Sequence, residues 1–564
     1  MYLLPGMLLF LFSHEDLMLQ NRADTGPSAG VKEDERNFRR KPVNTDMFFS
    51  DLKPLAKENQ LRANLLDISM GGARISTSYL LKKGMWIHPI AYSDSVKGSG
   101  SDSILESCWN GRAKVVWAKV ENEESGKESS KTNYTYGLEF ANDGKGVFKY
   151  QFFRFLPKLA IILMVMGTVN VLYLKWFNIF YFWYQPALNV YSIIISVYII
   201  SRFIFSAFYR PPEDKGHVPA ISVVIACKNE EDSIRRTIDC VYRSDYPKDR
   251  LDVIAVNDGS TDGTLNEMRR SAQDHPALRV VNFEKNKGKR HGMAAGACMS
   301  KGEILVYIDS DSFIQPDALY KIVQGFTDSS VGAVCGHANV TNARVNSLTK
   351  MQEVRYFVAF RVIKAAESLF STVSCCSGCF AAYRREYVMD IVDPWLNQKF
   401  LGVQATFGDD RSLTNFMLRK YRVIYNSEAV CTTLVPEKYG IFFRQQLRWK
   451  KSWIRESLLA CSFMWKRHPV AAFFYYSGVI FPIIAPFIVL NAVVLPLLGF
   501  WPFSYLYIYG AFLMAALYSL VYLAFARTRI WVYGVSFSFF YMLVLVWQTY
   551  YALFTVRQNH WGTR

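Results

Sequence analysis

Three carboxylates lie directly after apolar segments that are typical of buried β-strands. Asp258 follows the run Val253–Val256, and Asp309 and Asp311 follow the run Ile304–Ile308. Ligands of open α/β sheets bind beyond the carboxyl ends of the strands. Two carboxylates at positions i and i+2 could converge there on Mg²⁺ or Mn²⁺, with diphosphate oxygens as the remaining ligands. A D-x-D alone is common by chance, and Asp258 before a glycine could be a capped turn, so the placement after strands carries this interpretation.

The elements that would position these carboxylates extend over Ile221–Trp465. Another strand-like run, Ile221–Ala226, leads into a polar segment, and polar helical stretches such as Ser233–Arg243 separate the strands. This alternation predicts a parallel α/β sheet.

A second acidic pair, Asp409 and Asp410, stands beside Arg411 further along the chain. One of the two carboxylates could act as a general base that removes a proton from an acceptor hydroxyl. An ion pair with Arg411 is the structural alternative. After these residues, Arg448 could stabilise developing diphosphate charge, and Trp449 could stack on an acceptor sugar.

The N-terminal region carries a separate candidate binding pattern. Arg36 and Arg40 form an R-x-x-x-R, and Asp67, Ser69 and Gly72 form a D-x-S-x-x-G. Two guanidinium groups at that spacing can bind phosphates and stack on guanine, and a solvated basic linker is the alternative. Short alternating runs between polar turns predict that this region is a compact β domain.

Five apolar segments are long enough to be candidate membrane helices. They are Leu159–Leu174, Ala187–Phe208, Val470–Phe500, Trp501–Ala526 and Ile530–Val556. Basic residues stand on both outer flanks of the first two segments, so both flanks are expected in the cytosol. The mean hydropathy of +0.05 over 564 residues is then an average of polar domains and apolar blocks.

The composition restricts the class of protein further. The net charge of +17 comes from 65 Lys and Arg against 48 Asp and Glu. Basic residues flank the membrane segments and stand in phosphate-binding motifs, so no nucleic acid partner is predicted. The apolar content excludes disorder for most of the chain. One C-x-x-C lacks the second pair of a zinc ribbon, which favours reduced thiols over a metal site.

Taken in order, the motifs of the α/β region resemble those of the processive family 2 glycosyltransferases, the membrane synthases of cellulose, chitin and hyaluronan. The resemblance runs from about Pro219 to the C-terminus. It implies inverting transfer of hexosyl units from UDP-sugars, with Mg²⁺ or Mn²⁺ held by Asp309 and Asp311. The donor-binding residues that it implies are Cys227, Lys228, Asn229, Glu230, Asp258, Lys289, Arg290, Asp309, Trp561 and Arg564. The catalytic residues that it implies are Asp410 as the base, with Asp409, Gln445, Arg448 and Trp449. The acceptor residues that it implies are Ser374, Cys375, Gly378 and Trp449.

Hyaluronan synthases look closest within that family. Asp393–Gly402 and Phe407–Asn415 resemble their acceptor-side segment, and Lys287–Arg290 resembles their basic loop. Trp561–Arg564 resembles a C-terminal gate that chitin synthases share. The Ser374–Cys379 loop departs from the hyaluronan synthase form and is similar to the Cys-rich loop of rhizobial chitin-oligosaccharide synthases. The identity of the sugar therefore stays open.

The N-terminal motifs, followed by Val115–Trp117 and Tyr136–Phe140, resemble PilZ domains, which bind cyclic di-GMP. This resemblance covers roughly Glu35–Ala141. It implies cyclic di-GMP as an allosteric effector held by Arg36, Arg40, Asp67, Ser69 and Gly72. Bacterial cellulose synthases carry PilZ after the transferase, whereas in this chain it comes first.

Together these patterns predict a multidomain membrane protein with an N-terminal PilZ β-barrel, transmembrane helices and a cytosolic GT-A α/β glycosyltransferase domain. The expected division is a tail (1–34), a PilZ-like domain (35–148), two transmembrane helices (157–210), the GT-A domain (215–440), an interfacial helix (441–468) and C-terminal spans or re-entrant segments (469–564). Three full spans in the last block would place its C-terminal motif outside the cell, away from the diphosphate. We therefore expect Ile530–Val556 to lie along the inner leaflet or to re-enter.

The leading functional hypothesis is a cyclic di-GMP-regulated synthase in the cytoplasmic (inner) membrane, which secretes a β-linked exopolysaccharide. Its expected partners are UDP-sugars, the growing polysaccharide, cyclic di-GMP and the bilayer. The alternatives are a single-donor synthase of chitin or cellulose type, a cyclic di-GMP receptor with an inactive transferase core, and a lipid-linked, single-transfer glycosyltransferase. The intact acidic motifs argue against the receptor, and the Gln445–Trp449 motif disfavours single transfer.

Overall fold

The computed structural model describes residues 41–50, 61–68, 72–77, 81, 86–92, 113–121, 133–140, 145–181, 185–526 and 528–558. The chain divides into two compact units. Among the described residues, those up to Ala160 form one unit, and those from Ile161 onward form the other.

The smaller unit contains six antiparallel strands that close into a barrel in the order β1-β2-β3-β6-β5-β4. The strands are β1 (Lys41–Ser50), β2 (Leu61–Ile68), β3 (Gly72–Thr77), β4 (Trp86–Tyr92), β5 (Ala113–Glu121) and β6 (Asn133–Phe140). Ile75, Val115, Tyr136 and Leu138 are buried in this unit. The Tyr136 hydroxyl accepts a hydrogen bond from the Leu81 amide at 2.8 Å, which satisfies the polar end of a buried ring.

The larger unit is built on an eight-stranded mixed sheet with the order β11-β16-β12-β13-β10-β7-β8-β9. The strands are β7 (Ile221–Cys227), β8 (Leu251–Asp258), β9 (Leu278–Phe283), β10 (Ile304–Ile308), β11 (Ser312–Ile314), β12 (Val331–Val340), β13 (Phe380–Arg384) and β16 (Arg422–Thr433). A separate two-stranded sheet pairs β14 (Lys399–Phe400) with β15 (Val403–Gln404).

Helices cover the sheet and then extend away from it. They are α1 (Lys145–Tyr181), α2 (Pro186–Ala207), α3 (Ile234–Tyr242), α4 (Thr264–Asp274), α5 (Lys289–Met299), α6 (Ala318–Val323), α7 (Ser347–Val358), α8 (Ala365–Ser368), α9 (Arg385–Met389), α10 (Val392–Leu396), α11 (Asp409–Leu418), α12 (Tyr439–Met464), α13 (Pro469–Val489), α14 (Leu495–Leu497), α15 (Tyr505–Ala526), α16 (Val532–Leu543) and α17 (Gln548–Phe554). The 3₁₀ segments are Lys248–Arg250, Gln324–Thr327, Arg529–Trp531 and Leu545–Trp547, and the π-helical segments are Ala359–Lys364 and Leu490–Val494.

The central strands form because their residues are apolar on both faces. Every residue of β7 and of β10 is buried, as expected for strands that helices cover on both sides. α3 buries Ile234, Ile238 and Val241, a helical spacing that directs one stripe of the helix into the core. Strands β7, β8 and β10 are mutually parallel neighbours, so their carboxyl ends meet at one edge of the sheet.

The predicted parallel sheet is present in β7, β8, β9 and β10, but the prediction is incomplete, because β13 runs antiparallel to both β10 and β12. β11 is also antiparallel to β16. All five residues of β13 are buried and Arg384 is the one charged residue among them, so the rest of its sequence is as apolar as that of a parallel strand. Hydrophobic pattern therefore could not reveal its direction.

In the described part of the chain, four helical segments are long and apolar enough to cross a membrane. They are Leu159–Phe180, Pro186–Ala207, Pro469–Leu497 and Tyr505–Ala526. A further pair, Arg529–Leu543 and Leu545–Phe554, bends by 45° at the break between its halves. Both a broken span and a re-entrant segment have this geometry, so the placement of Ile530–Val556 stays a prediction.

Candidate active site

The carboxyl end of β8 holds a basic loop through Asp258. This side chain is only 3% exposed, and its two oxygens accept hydrogen bonds from the amides of Lys287 at 2.7 Å and Gly288 at 2.9 Å. The next residue, Gly259, has a positive φ of 61°, and a Cβ there would lie 2.5 Å from the Asn286 amide nitrogen. Asp258 thus fixes the loop that leads into α5.

The segment after β7 is held against the same loop region. Asn229 adopts a left-handed φ of 55°, and its side-chain oxygen accepts a hydrogen bond from the Thr261 amide at 2.9 Å. The Glu230 carboxylate accepts one from the Ser233 hydroxyl at 2.9 Å. Cys227 is buried, whereas Lys228 is exposed. The predicted donor-binding segment therefore has a fixed backbone at the edge where the parallel strands end.

The D-x-D after β10 forms an anionic centre beside a lysine. Lys289, the first residue of α5, forms an ion pair with Asp309. Burial alone would lower the pKa of Lys289, but the charge of Asp309 raises it overall. Burial, followed by the charge of Asp309, raises the pKa of Asp311, which also hydrogen-bonds with Thr433. A second cation would relieve this repulsion between the carboxylates.

The same centre fits a hard divalent cation only with help from a substrate. Among the described residues, no group of three or more His, Cys, Asp or Glu side chains could hold a metal ion. Asp309 and Asp311 offer two carboxylates, and Mg²⁺ commonly completes such a set with water and substrate phosphates. The donor set therefore matches a metal that arrives with a diphosphate.

Adjacent Asp409 and Asp410 differ sharply in their surroundings. Asp409 is 4% exposed, and its Oδ1 accepts a hydrogen bond from Arg290 Nε at 2.8 Å. Asp410 is partly exposed: its Oδ1 accepts a hydrogen bond from the Arg411 amide at 2.8 Å, and Cys375 Sγ lies 3.6 Å from its Oδ2. Asp409 thus supports the start of α11, and Asp410 is the carboxylate left accessible for chemistry.

Arg290, which is predicted to bind the donor, supports Asp409 in the structure. The Arg290 residue is 2% exposed, and its Nη1 donates to the Trp395 carbonyl at 2.9 Å and to Gln398 Oε1 at 3.1 Å. Its cationic group also lies 5.3 Å from the centre of the Trp395 ring. These contacts hold the Arg290 side chain against α10 and α11, and its predicted contact with the donor stays a prediction.

A buried network continues from Gln398 into α12. Gln398 Nε2 donates to both oxygens of Glu456, at 3.3 and 3.2 Å, and Glu456 Oε1 accepts from Arg455 Nε at 2.8 Å. Asn415 of α11 donates to the Glu456 carbonyl oxygen at 2.9 Å. Arg455 also contacts the carbonyl oxygen of Phe407. These bonds connect α12 to the segment that presents the acidic pair.

The predicted acceptor loop, Ser374–Cys379, is anchored at its first two residues. The Ser374 amide and hydroxyl each donate to one oxygen of Glu367 at 3.0 Å. Lys364 contacts the carbonyl oxygen of Cys375. A Cβ added to Gly378 would lie 3.0 Å from Asp309 Oδ1, so this glycine lets the loop pass close to the D-x-D. The Ser374 hydroxyl therefore points to Glu367, and the loop itself adjoins the carboxylates.

Helix α12 brings the Gln445–Trp449 motif to the same region. Burial lowers the pKa of Arg448, and the charges of Asp410 and then Asp309 oppose that change. Arg448 thus lies within electrostatic reach of both carboxylate groups. The Trp449 ring centre is 5.3 Å from the guanidinium of Arg355. Gln445 Oε1 is buried and accepts no hydrogen bond from any described residue.

Several predicted residues fall outside what the structure describes. Trp561, Arg564, Arg36, Arg40 and Ser69 are in this group. Of the remaining PilZ-motif residues, Asp67 lies in β2 opposite Arg74 of β3, and Gly72 is the first residue of β3.

Sequence reasoning missed the supporting residues around the acidic groups. Glu367 and Lys364 hold the acceptor loop, Arg355 contacts the Trp449 ring, and Arg455 with Glu456 braces α11. The adjacent charges of Arg455 and Glu456 within a helix that is otherwise rich in apolar residues were an available signal. Arg355 acts across 91 positions, which sequence spacing does not reveal, whereas Glu367 and Lys364 lie within eleven residues of the loop that they hold.

The strand-end carboxylates, the basic loop and the acidic helix start are arranged as in a glycosyltransferase of GT-A-like fold. Residues 222–392 match glycosyl transferase family 2. An N-acetylglucosaminyltransferase from Rhizobium meliloti is 31% identical over 51% of this chain and 69% of its own length. The chain therefore belongs to glycosyl transferase family 2, and the predicted enzyme class is confirmed.

Two further proteins are similar to this chain. A hyaluronan synthase from Streptococcus pyogenes is 29% identical over 72% of this chain and 97% of its own length. A solved mannosyltransferase from Pyrobaculum calidifontis, in complex with GDP-Man and Mn²⁺, has 23% identity and a TM-score of 0.46, covering 63% of this chain and 99% of its own.

Proposed function

We propose that this family 2 glycosyltransferase is a membrane polysaccharide synthase. It transfers hexosyl units from UDP-sugars to a β-linked polymer and passes that polymer through its own helices. The observation that carries the proposal is the convergence of Asp410, Asp309 and Arg448, together with four candidate membrane helices among the described residues. The similarity to hyaluronan synthase over 97% of that enzyme supports a processive reaction.

In this reaction Asp410 is the general base. It removes the proton from the acceptor hydroxyl, and the resulting oxygen attacks the anomeric carbon as the bond to UDP breaks. The leaving diphosphate takes the bonding electron pair, and Lys289 and Arg448 stabilise its charge. Because one direct attack replaces the bond, the configuration at the anomeric carbon inverts.

Two other groups complete the site. Asp309 and Asp311 would hold Mg²⁺ or Mn²⁺, which when bound supplies positive charge to the diphosphate. Trp449 offers a flat ring for the acceptor sugar, and sugar stacking there would orient the attacking hydroxyl. The Ser374–Cys379 loop lies on the acceptor side, since Cys375 adjoins Asp410.

The polymer is of hyaluronan type in the leading form of this proposal, and the alternative is a chitin- or cellulose-type product from one donor. The rhizobial N-acetylglucosaminyltransferase is the relative that favours the second form. The two forms differ in donor requirement, because hyaluronan needs both UDP-GlcNAc and UDP-glucuronate.

The test is UDP release and polymer analysis by purified full-length protein with each donor alone and with both. Asp410→Asn is the inactive variant, and Asp390→Asn, which changes an exposed carboxylate, is the matched control. Synthesis only with the mixture supports the hyaluronan form, and synthesis from one donor supports the alternative. No UDP release from any donor, with Asp410→Asn indistinguishable from the unmodified protein, would refute the synthase.

The same proposal includes regulation by cyclic di-GMP through the N-terminal PilZ-like motifs. The closed six-stranded barrel, with Asp67 and Gly72 at the β2–β3 connection, is compatible with such a domain. Cyclic di-GMP is expected to raise UDP release, and Arg36→Ala with Arg40→Ala is expected to abolish the rise. Unchanged activity and no measurable cyclic di-GMP binding would remove this part of the proposal.

The proposed location is the cytoplasmic membrane, with the barrel and the transferase domain in the cytosol. The lengths and apolar composition of the four candidate spans support multi-pass insertion. A tag placed after Arg564 is then cytosolic. Labelling of that tag from outside intact cells would overturn this topology.

A further inference from the structure

Two positive side chains, Arg355 of α7 and Lys450 of α12, lie near each other beside the proposed acceptor position. Lys450 is 9% exposed, and burial followed by the charge of Arg355 lowers its pKa to about 8. Neither residue forms an ion pair within the described part of the chain. Their side-chain partners there are neutral: Arg355 Nη1 donates to Gln446 Oε1 at 2.7 Å, and Lys450 Nζ donates to Thr549 Oγ1 at 3.1 Å and contacts the Leu545 carbonyl oxygen.

Two neighbouring cations of this kind destabilise the folded protein unless an anion binds to them. A buried cation is destabilising without a counter-charge, and a second cation nearby adds repulsion. Neutral oxygens satisfy hydrogen-bond donors but leave the net charge uncompensated. A negatively charged ligand would relieve both costs at once.

The walls of this cluster are aromatic. Arg355 lies 5.3 Å from the centre of the Trp449 ring and 5.5 Å from that of Phe537. Lys450 lies 5.1 Å from the centre of the Tyr541 ring. Flat rings with a few placed charges are suited to a sugar chain whose faces are apolar and whose substituents are polar.

The cluster extends from the proposed acceptor site towards α16. Its Trp449 end adjoins the proposed acceptor site, while Phe537 and Tyr541 belong to α16, the first half of the bent pair near the candidate spans. A sugar unit that has just been added and moved forward from Trp449 would reach Arg355 first. The donor diphosphate already has Lys289 and Arg448 as cations, so the anion that suits Arg355 and Lys450 is a different one.

We propose that Arg355 and Lys450 form a carboxylate-binding site for the growing chain. We infer from this site that the polymer contains a uronate sugar. This inference rests on the proposed synthase function and deepens it by favouring an acidic polymer over a neutral one. The uronate carboxylate binds between the guanidinium and the ammonium group while its ring contacts the aromatic walls. Charge-assisted hydrogen bonds of this kind are the strong ones in recognition.

The test is equilibrium binding of two oligosaccharides of equal length to the full-length protein in lipid nanodiscs. The acidic probe is a hyaluronan tetrasaccharide, and the neutral probe is chitotetraose. The variant is Lys450→Met, and Lys451→Met is the matched control because Lys451 is on the same helix and is 8% exposed. Neighbouring positions on a helix point about 100° apart, so the side chain of Lys451 lies on a different face of α12 from that of Lys450.

The unmodified protein and Lys451→Met are expected to bind the acidic probe about tenfold more tightly than the neutral one, which corresponds to about 1.4 kcal/mol. Lys450→Met is expected to lose this preference while keeping its affinity for the neutral probe, and Lys450→Arg is expected to retain the preference, which rules out misfolding as the cause. Equal binding of both probes by the unmodified protein, or equal losses in Lys450→Met and Lys451→Met, would overturn the inference.

A parallel measurement of UDP release separates this inference from the proposed function. Turnover of any UDP-sugar without a preference for the acidic probe refutes the carboxylate site and leaves the synthase intact. Absence of turnover with every donor refutes the synthase itself.

Discussion

Asp409→Asn is expected to lower the stability of the protein, whereas Asp410→Asn is expected to lower its catalytic rate. Asp409→Asn removes one charge of a buried pair whose members are 4% and 3% exposed as side chains. The charge of Arg290 is then left uncompensated, and such a break costs about 3–5 kcal/mol. Arg290 keeps its bonds to the Trp395 carbonyl and to Gln398, which places the expected loss near the lower end of that range.

Asp410→Asn is expected to do the reverse. Asp410 is partly exposed, and its contacts are the local Arg411 amide and the weak Cys375 thiol donor at 3.6 Å. Changes at partly exposed positions with few partners usually alter stability by less than about 1 kcal/mol. Loss of a general base, by contrast, lowers the rate by roughly 10²–10⁴-fold.

The assay pairs thermal unfolding of the full-length protein in detergent with kcat from UDP release. Asp409→Asn should show the larger fall in Tm, and Asp410→Asn the larger fall in kcat at nearly unchanged Tm. Adding Arg290→Met to Asp409→Asn removes both buried charges and should recover part of the lost Tm, since the two residues act as a pair. A Tm that falls as far in Asp410→Asn as in Asp409→Asn would refute the assignment of separate roles.

Three further outcomes follow from the geometry. Gly408→Ala should lower Tm and activity, because φ there is 78° and a Cβ would lie 1.9 Å from Ser452 Oγ; unchanged activity contradicts this. Chelation of divalent ions should abolish UDP release and Mn²⁺ or Mg²⁺ should restore it, since Asp309 and Asp311 need a counter-charge; full activity in excess chelator argues against a metal. Binding of the acidic probe should weaken as pH rises through about 8, because Lys450 loses its proton there; in Lys450→Arg this pH dependence should disappear, and a pH profile identical to that of the unmodified protein would show that another group titrates.

The sequence could predict that Asp258 and Asp309 lie at one edge of the sheet, because each stands at the end of a strand that is recognisable by itself. Asp258 and Asp309 are delivered by β8 and β10, and both strands appear as short apolar runs. The parallel pairing of β7 with both neighbours then brings their ends together without further information. The local sequence pattern and the sheet topology therefore both place Asp258 and Asp309 at this edge of the sheet.

The acceptor side could not be predicted in the same way, because its supports come from segments that are distant in sequence. Arg290 reaches Asp409 across 119 positions, and its place next to Lys289 suggested a ligand contact. Adjacent residues at the start of α5 face different partners, Lys289 the D-x-D and Arg290 the buried start of α11. A basic pair in a sequence does not reveal this division.

Charged residues of helix α12 connect the candidate active site with the helices near the candidate membrane spans. Its Arg448 lies within electrostatic reach of Asp410 and Asp309. Its Glu456 is completely buried and accepts a hydrogen bond from Gln398, and its Lys450 donates one to Thr549 of α17. The hydrogen bonds of Glu456 and Lys450 connect α12 to other segments of the chain, so both contacts restrain the helix. A displacement of α12 would then shift Arg448 and Lys450 together, because both sit on one rigid element. Under the proposed function, α12 therefore fixes the position of the site that forms the glycosidic bond relative to the aromatic cluster that receives the product.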